Sequence, residues 1–247
     1  MHSDGFTAYL RQVAAFIERA ELQAGTTIPA AAERIAAAIA AGRVLRVFGA
    51  SHAGILAQDL FYRSGGLVAI DPILPGGLML NERPVTRTSH LERLPGYAEV
   101  ILKESPLRPG DVLLVISVSG RNAVGVEMAS IARESGATVI ALTNLEYSRS
   151  VTARSGAKRL YEVADIVIDL PGVRGDAAVT LEGVANPVGP TSTAVGSAIL
   201  QGLMVEVVRQ LQLRGFDPPV LLSGNLDGAD EQNARLLELY RQRLSYL

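Results

Sequence analysis

The chain contains no cysteine and no tryptophan, and aromatic residues make up only 5% of its 247 positions. Without cysteine there is neither a disulfide framework nor thiolate chemistry, and the composition fits a reducing cytoplasm. So few aromatics leave little surface for stacking bases or sugar rings. Histidine is scarce too, at His2, His52 and His90 alone. No His-x-x-x-His or His-Glu-x-x-His spacing exists, so no metal is expected; His52, Asp59 and Glu82 would form a site only if folding brought them together. No block of one charge occurs, and 23 basic residues face 25 acidic ones. That balance argues against a nucleic-acid partner. Apolar runs are shorter than a membrane span or broken by charge, so no membrane association is expected. The opening MHSDGFTAYLRQ lacks the basic-then-apolar order of a signal peptide. No nucleotide cofactor is expected either. The segment GASHAG at 49–54 lacks the full dinucleotide glycine pattern, and there is no Walker lysine.

What is present is a core-forming chain, 48% hydrophobic, with a repeated strand, loop, helix pattern. Ser3 is placed to cap a helix over Asp4 to Gln23, with Phe6, Leu10, Val13 and Ile17 as its apolar stripe. A second, alanine-rich helix covers Ala30 to Ala41 and ends at Gly42. Strands are predicted at Val44–Phe48, Leu67–Ile70, Asp111–Ile116, Thr138–Leu142 and Asp165–Leu170. Helices are predicted at His52–Arg63, from Asn122 to Glu134, at Thr191–Leu213 and at Asp230–Leu247. This alternation implies an α/β fold, a parallel sheet covered on both faces. Two segments look irregular, Asp71–Pro109 with a short helix near Tyr97–Lys103, and Gly172–Pro190.

The stretch DVLLVISVSGRN, Asp111 to Asn122, is the most informative. A buried strand runs into Ser117, Ser119 and Gly120, and an amphipathic helix follows. The loop between them offers hydroxyls, a flexible glycine and free backbone N–H groups, which together suit a bound phosphate. Helix capping and tight turning also favour Ser and Gly here.

With VFGASHAG at 47–54 and VGPTSTAVGSAILQ at 188–201, this stretch makes the chain resemble the sugar isomerase (SIS) domain family. YRSGG, TNLEYSRS and GPTST resemble a subgroup akin to phosphoheptose isomerases. The resemblance implies a three-layer sandwich, a five-stranded parallel sheet between helices. It implies one such domain over 1–247, with a helical extension over about 1–42 and a C-terminal helix over about 230–247. It further implies a sugar-phosphate ligand and a homodimer or homotetramer.

By position, Ser117, Ser119, Gly120, Arg121 and Asn122 are implied as the phosphate-binding loop and helix start. Ser51 is implied to reach the same ligand, and so is at least one of Thr191, Ser192 and Thr193, which also cap the long helix. Isomerisation needs a base to move a proton between adjacent carbons and a donor to polarise the carbonyl. Asp59 and Glu127 are the candidate bases and His52 the candidate donor. Asp59 with Arg63 also has the spacing of an exposed ion pair, and Glu127 sits where its side chain can point away from ligand. Glu206 is placed either to face a neighbouring subunit or to pair with an arginine. Phosphoheptose isomerases carry a catalytic histidine on the long helix; here Ser197, Gln201 and Gly202 stand at the comparable positions. The expected activity is therefore an aldose–ketose sugar-phosphate isomerase, with a lyase or etherase and a non-catalytic sensor as alternatives.

Overall fold

A computed structural model describes residues 4–154, 156 and 158–247. Five strands form one parallel sheet in the order β2-β1-β3-β4-β5. They are β1 (Leu45–Gly49), β2 (Ile70–Ile73), β3 (Val112–Ile116), β4 (Thr138–Thr143) and β5 (Ile166–Asp169). Strand β3 is central, pairing Val112 with Leu45 on one side and with Thr138 on the other. Its five residues are all buried, as expected of a parallel strand covered on both faces.

Alternation along the strands divides the core in two. Leu45, Val47, Leu114, Ile116, Ile140 and Leu142 face one layer. That layer contains α2 (Thr27–Ala40), α3 (His52–Leu60), α9 (Ser192–Leu213) and part of α10 (Ala229–Tyr240). Phe48, Leu113, Val115, Val139 and Ala141 face the other, built from α5 (Tyr97–Glu104), α6 (Ala123–Glu134) and the single turn α8 (Leu160–Val163). The molecule is thus the three-layer α/β/α sandwich expected.

Several boundaries differ from the sequence reading, each for a local reason. Helix α1 (Gly5–Ala24) is capped by Asp4, whose carboxylate accepts the Thr7 N–H at 2.7 Å; Ser3 lies outside the described residues. The second strand starts at Ile70, not Leu67, and runs through Asp71 and Pro72; Leu67 bridges Val220 instead. Proline is tolerated there because β2 is an edge strand. The segment 71–109 also holds a 3-10 turn (Gly76–Leu78) and α4 (Thr86–Leu91), and 172–190 contains a hairpin, β6 (Ala177–Val179) with β7 (Val188–Pro190). A further turn of helix, α7 (Leu145–Arg149), follows β4. Helix α3 stops at Leu60 and α10 at Tyr240, both earlier than predicted.

Helix α9 is long and apolar enough to cross a membrane. It serves as a core helix: Val195, Leu200, Leu203, Val207 and Leu211 are all fully buried.

Candidate functional site

The loops after β1 and β3 open side by side at the carboxyl ends of the strands, where ligands bind in open α/β sheets. Between them lies a cavity of about 270 Å³. Ser51, His52, Ser117, Ser119 and Asn122 line it, joined by Glu92, Tyr147 and Asp176.

Each loop is shaped by a glycine. Gly49 lets α3 turn back closely on β1; a Cβ there would lie 2.4 Å from the Ala53 carbonyl oxygen. Gly120 sits at φ +58°, and a Cβ on it would lie 2.9 Å from Ser148 Oγ and 3.0 Å from Thr143 Oγ1. Only glycine fits that position without strain. Among the described residues neither the Ser117 nor the Ser119 hydroxyl has a hydrogen-bond partner. Helix α6 begins directly behind them, with Asn122 as its N-cap. Free hydroxyls at a helix N-terminus are able to hydrogen-bond an anion.

Two non-glycine residues on the cavity wall hold positive φ, Ser51 at 57° and Asp176 at 71°. Strained backbone of this kind clusters at functional sites. Ser51 is held by its N–H, which donates to the Leu78 carbonyl at 2.8 Å, and its hydroxyl lies 3.4 Å from His52 Nδ1.

Other expected residues lie elsewhere. Gly120 and Arg121 belong to the loop but do not line the cavity. Thr191, Ser192 and Thr193 do not line it either. The Thr191 and Ser192 N–H groups donate to Asp176 Oδ1 at 3.0 and 2.8 Å, and Ser192 Oγ donates to Asp176 Oδ2 at 2.6 Å. They therefore position Asp176 rather than face a ligand in this cavity. Glu127 points away, its carboxylate accepting the Gly96 N–H at 2.9 Å. His90 is exposed on α4.

Asp59 lies at the α3–α9 contact, outside the cavity lining. Its carboxylate accepts Ser197 Oγ at 2.7 Å and Gln201 Nε2 at 3.0 Å, and pairs with Arg63. Burial pushes this carboxyl up, but the hydrogen bonds from Gln201 and Ser197 and the Arg63 charge outweigh it, leaving it below its ordinary value. Glu206 pairs with Arg209 at 2.6 Å, and hydrogen bonds from Arg209 and then Gln210 hold its carboxyl down at about 2. The arginine pair expected as one of its placements is present, to a residue of the same helix. Among the described residues no group of three or more His, Asp or Glu is placed to hold a metal ion.

Sequence reasoning missed three polar lining residues, Tyr147, Asp176 and, foremost, Glu92. Glu92 arrives from the segment 71–109 at the end of α4, and its backbone carbonyl accepts the Val124 N–H at 3.2 Å in the first turn of α6. Burial raises its proton affinity above that of an ordinary glutamate; Arg93, the Asn122 amide and Arg154 pull it back only in part. A raised carboxyl in a cleft beside unpartnered hydroxyls is the arrangement of an acid–base group. No local signal marks it, because its neighbours in space are distant in sequence.

A second, larger cavity of about 520 Å³ lies between α1, α2, β5 and α9. Its walls are mostly aliphatic, including Ile17, Ala20, Ile28, Ile199 and Leu203. It offers shape and apolar surface but few groups for chemistry.

Comparison with known proteins bears on the family and the fold. Residues 8–144 match the family model described as SIS domain. The chain is 48% identical over 218 residues to a UPF0309 protein of Shouchella clausii (strain KSM-K16), covering 88% of this chain and 89% of that one. It is 41% identical over 242 residues to a UPF0309 protein of Halalkalibacterium halodurans, covering 98% and 96%. Among solved structures, the fold is similar to phosphoheptose isomerase GmhA from Neisseria gonorrhoeae, with TM-score 0.52, 19% identity, and 84% and 97% of the two chains covered. It is also similar to the Vibrio vulnificus NanR protein complexed with ManNAc-6P, with TM-score 0.51, 14% identity, and 99% and 71% covered. At these identities the likeness to solved structures is one of fold.

Proposed function

Because this chain belongs to the SIS domain family, we propose that it binds a sugar phosphate and catalyses aldose–ketose isomerisation through an enediol. One observation carries the reading: Glu92, with raised proton affinity, lines the same cavity as the unpartnered Ser117 and Ser119 hydroxyls. In this reading the phosphate rests on Ser117, Ser119 and the start of α6 at Asn122, where the helix macrodipole adds roughly 0.3–2 kcal/mol. Ser51 orients the sugar. Ionised Glu92 takes the proton from the carbon next to the carbonyl. The C–H electron pair becomes the enediol double bond, and the carbonyl oxygen takes a proton from His52. Returning the Glu92 proton to the neighbouring carbon, and the hydroxyl proton to His52, completes the exchange. A general acid–base of this kind contributes about 10²–10⁴-fold.

We assign the base to Glu92 rather than to Asp59 or Glu127. Glu127 faces away, and Asp59 is held ionised by Ser197, Gln201 and Arg63 outside the cavity. The fold relatives include both an isomerase and a protein complexed with ManNAc-6P, so a sensor is the second reading. The absence of a histidine at Ser197, Gln201 and Gly202 favours it over a heptose-type reaction.

The test is incubation with pentose, hexose, hexosamine and heptose phosphates in heavy water, followed by proton NMR. An isomerase working through an enediol incorporates solvent deuterium at the carbon beside the carbonyl, and Glu92→Gln abolishes this. A ligand that binds without exchange or turnover would make the protein a sensor. Elimination of a substituent would make it a lyase or etherase.

We also propose a cytoplasmic homodimer or homotetramer. Helix α1 has no buried residue, Phe6 and Leu22 on it are 72% and 80% exposed, and its Ile17 and Ala20 line the aliphatic groove. Exposed apolar side chains on a helix that also walls such a groove suit a second copy.

A further inference from the structure

Arg121 and Arg154 are bonded to the residues at the start of α6, and the charge of Arg93 acts on Arg154 from the segment next to Glu92. Arg154 Nη1 donates to Asn122 Oδ1 at 2.9 Å, and its backbone N–H donates to the Arg121 carbonyl at 2.9 Å. Arg121 Nη2 reaches Thr152 Oγ1 at 3.3 Å, while its Nε is buried without a partner. Arg93 follows Glu92, whose carbonyl is tied to the start of α6. Among the described residues none of the three guanidiniums has a carboxylate within 4.0 Å. Desolvation, then the charges of Arg121 and Arg93, lowers Arg154 below its ordinary value, a sign that like charges are held together. Glu92 is the one carboxylate that acts on Arg154 from this group, so the group keeps an excess of positive charge. Arg121 and Arg154 are held near one another by their bonds to Thr152, to Asn122 and to the Arg121 carbonyl.

None of the three lines the cavity, but Asn122, which Arg154 holds, and Glu92, which Arg93 follows, do, so a phosphate seated on Ser117 and Ser119 leaves the guanidiniums unoccupied beside it. We propose that the ligand bears a second anionic group, a carboxylate or a second phosphate, which Arg93, Arg121 and Arg154 receive beside the first. The proposal rests on the sugar-phosphate reading and narrows it to phosphorylated sugar acids or sugar bisphosphates. The planar guanidinium fork matches either group in a bidentate contact, which an ammonium does not.

Isothermal titration tests this at about 0.15 M salt, so that diffuse attraction is screened. Aldose monophosphates are set against the matching phospho-aldonates and bisphosphates, on wild type, Arg93→Gln and Arg93→Lys. The expected result is a doubly anionic ligand that binds wild type at least tenfold tighter than its monophosphate. Arg93→Gln should shrink that ratio at least fivefold, and Arg93→Lys should restore part of it. Which anion gives the preference separates the carboxylate from the phosphate. Equal binding of singly and doubly anionic ligands would overturn the proposal and leave the sugar-phosphate reading standing. Binding of no member of the panel would overturn both. Circular dichroism of each variant excludes misfolding as the cause of a lost ratio.

Discussion

Glu92 is the carboxyl on whose proton the proposed mechanism depends. Its folded-state proton affinity is raised by burial, so its contribution to stability is fully present below its ordinary value near 4.5 and is lost as pH rises through the raised value. At neutral pH the ionised form is therefore a liability to the fold. Glu92→Gln should raise the melting temperature at pH 7 while lowering turnover about 10²–10⁴-fold. Thermal melts and a rate assay on the same sample check both, and a destabilised variant would contradict the burial argument. Asp59 has the opposite sign: its lowered carboxyl contributes stability above its ordinary value of 3.8, lost as pH falls through the folded value. Asp59→Asn should lower stability at pH 7, narrow its gap to wild type below pH 4, and retain turnover. Gly120→Ala should cost about 1–3 kcal/mol from its φ of +58° alone and more from its contact with Ser148 and Thr143, measured by urea unfolding.

The elements show why some of this was legible and some was not. A buried strand followed by Ser-x-Ser-Gly and an amphipathic helix identifies β3, its loop and α6 directly, because all three are contiguous. The parallel sheet follows from the same alternation. Glu92 and Asp176 are not contiguous with anything they serve. The first comes from α4, a six-residue helix too short to show a period, and the second from the approach to a hairpin of three-residue strands. The serines and threonines at the start of α9 make no side-chain cap of their own; the Asp176 carboxylate caps the helix instead, accepting the Thr191 and Ser192 N–H groups. Asp176→Ala should therefore cost about 0.5–2 kcal/mol, as loss of a cap does. It should also raise KM, because the cavity wall it forms is tied to the α9 N-terminus. An unchanged melting temperature would contradict that link.

At the scale of the whole molecule, two faces divide the work. The carboxyl ends of the strands carry the polar cavity, and the layer of α1, α2 and α9 carries the aliphatic groove. If a second copy covers that groove, Ile17→Glu should drive the protein towards monomer, because burying an unpaired charge is costly. Sedimentation velocity at micromolar concentration checks this, and a monomeric wild type would contradict it.

The account turns on whether the Ser117–Ser119 loop holds a sugar phosphate. Thermal shift with a panel of sugar phosphates, on wild type beside Ser119→Ala, measures that most directly. Ligand at about 100 times its Kd adds about 2.7 kcal/mol, or roughly 5–10 °C for a chain of this size. The account predicts such a shift with at least one sugar phosphate, lost in Ser119→Ala. No shift across pentose, hexose, hexosamine and heptose phosphates, or an equal shift in the variant, would contradict it.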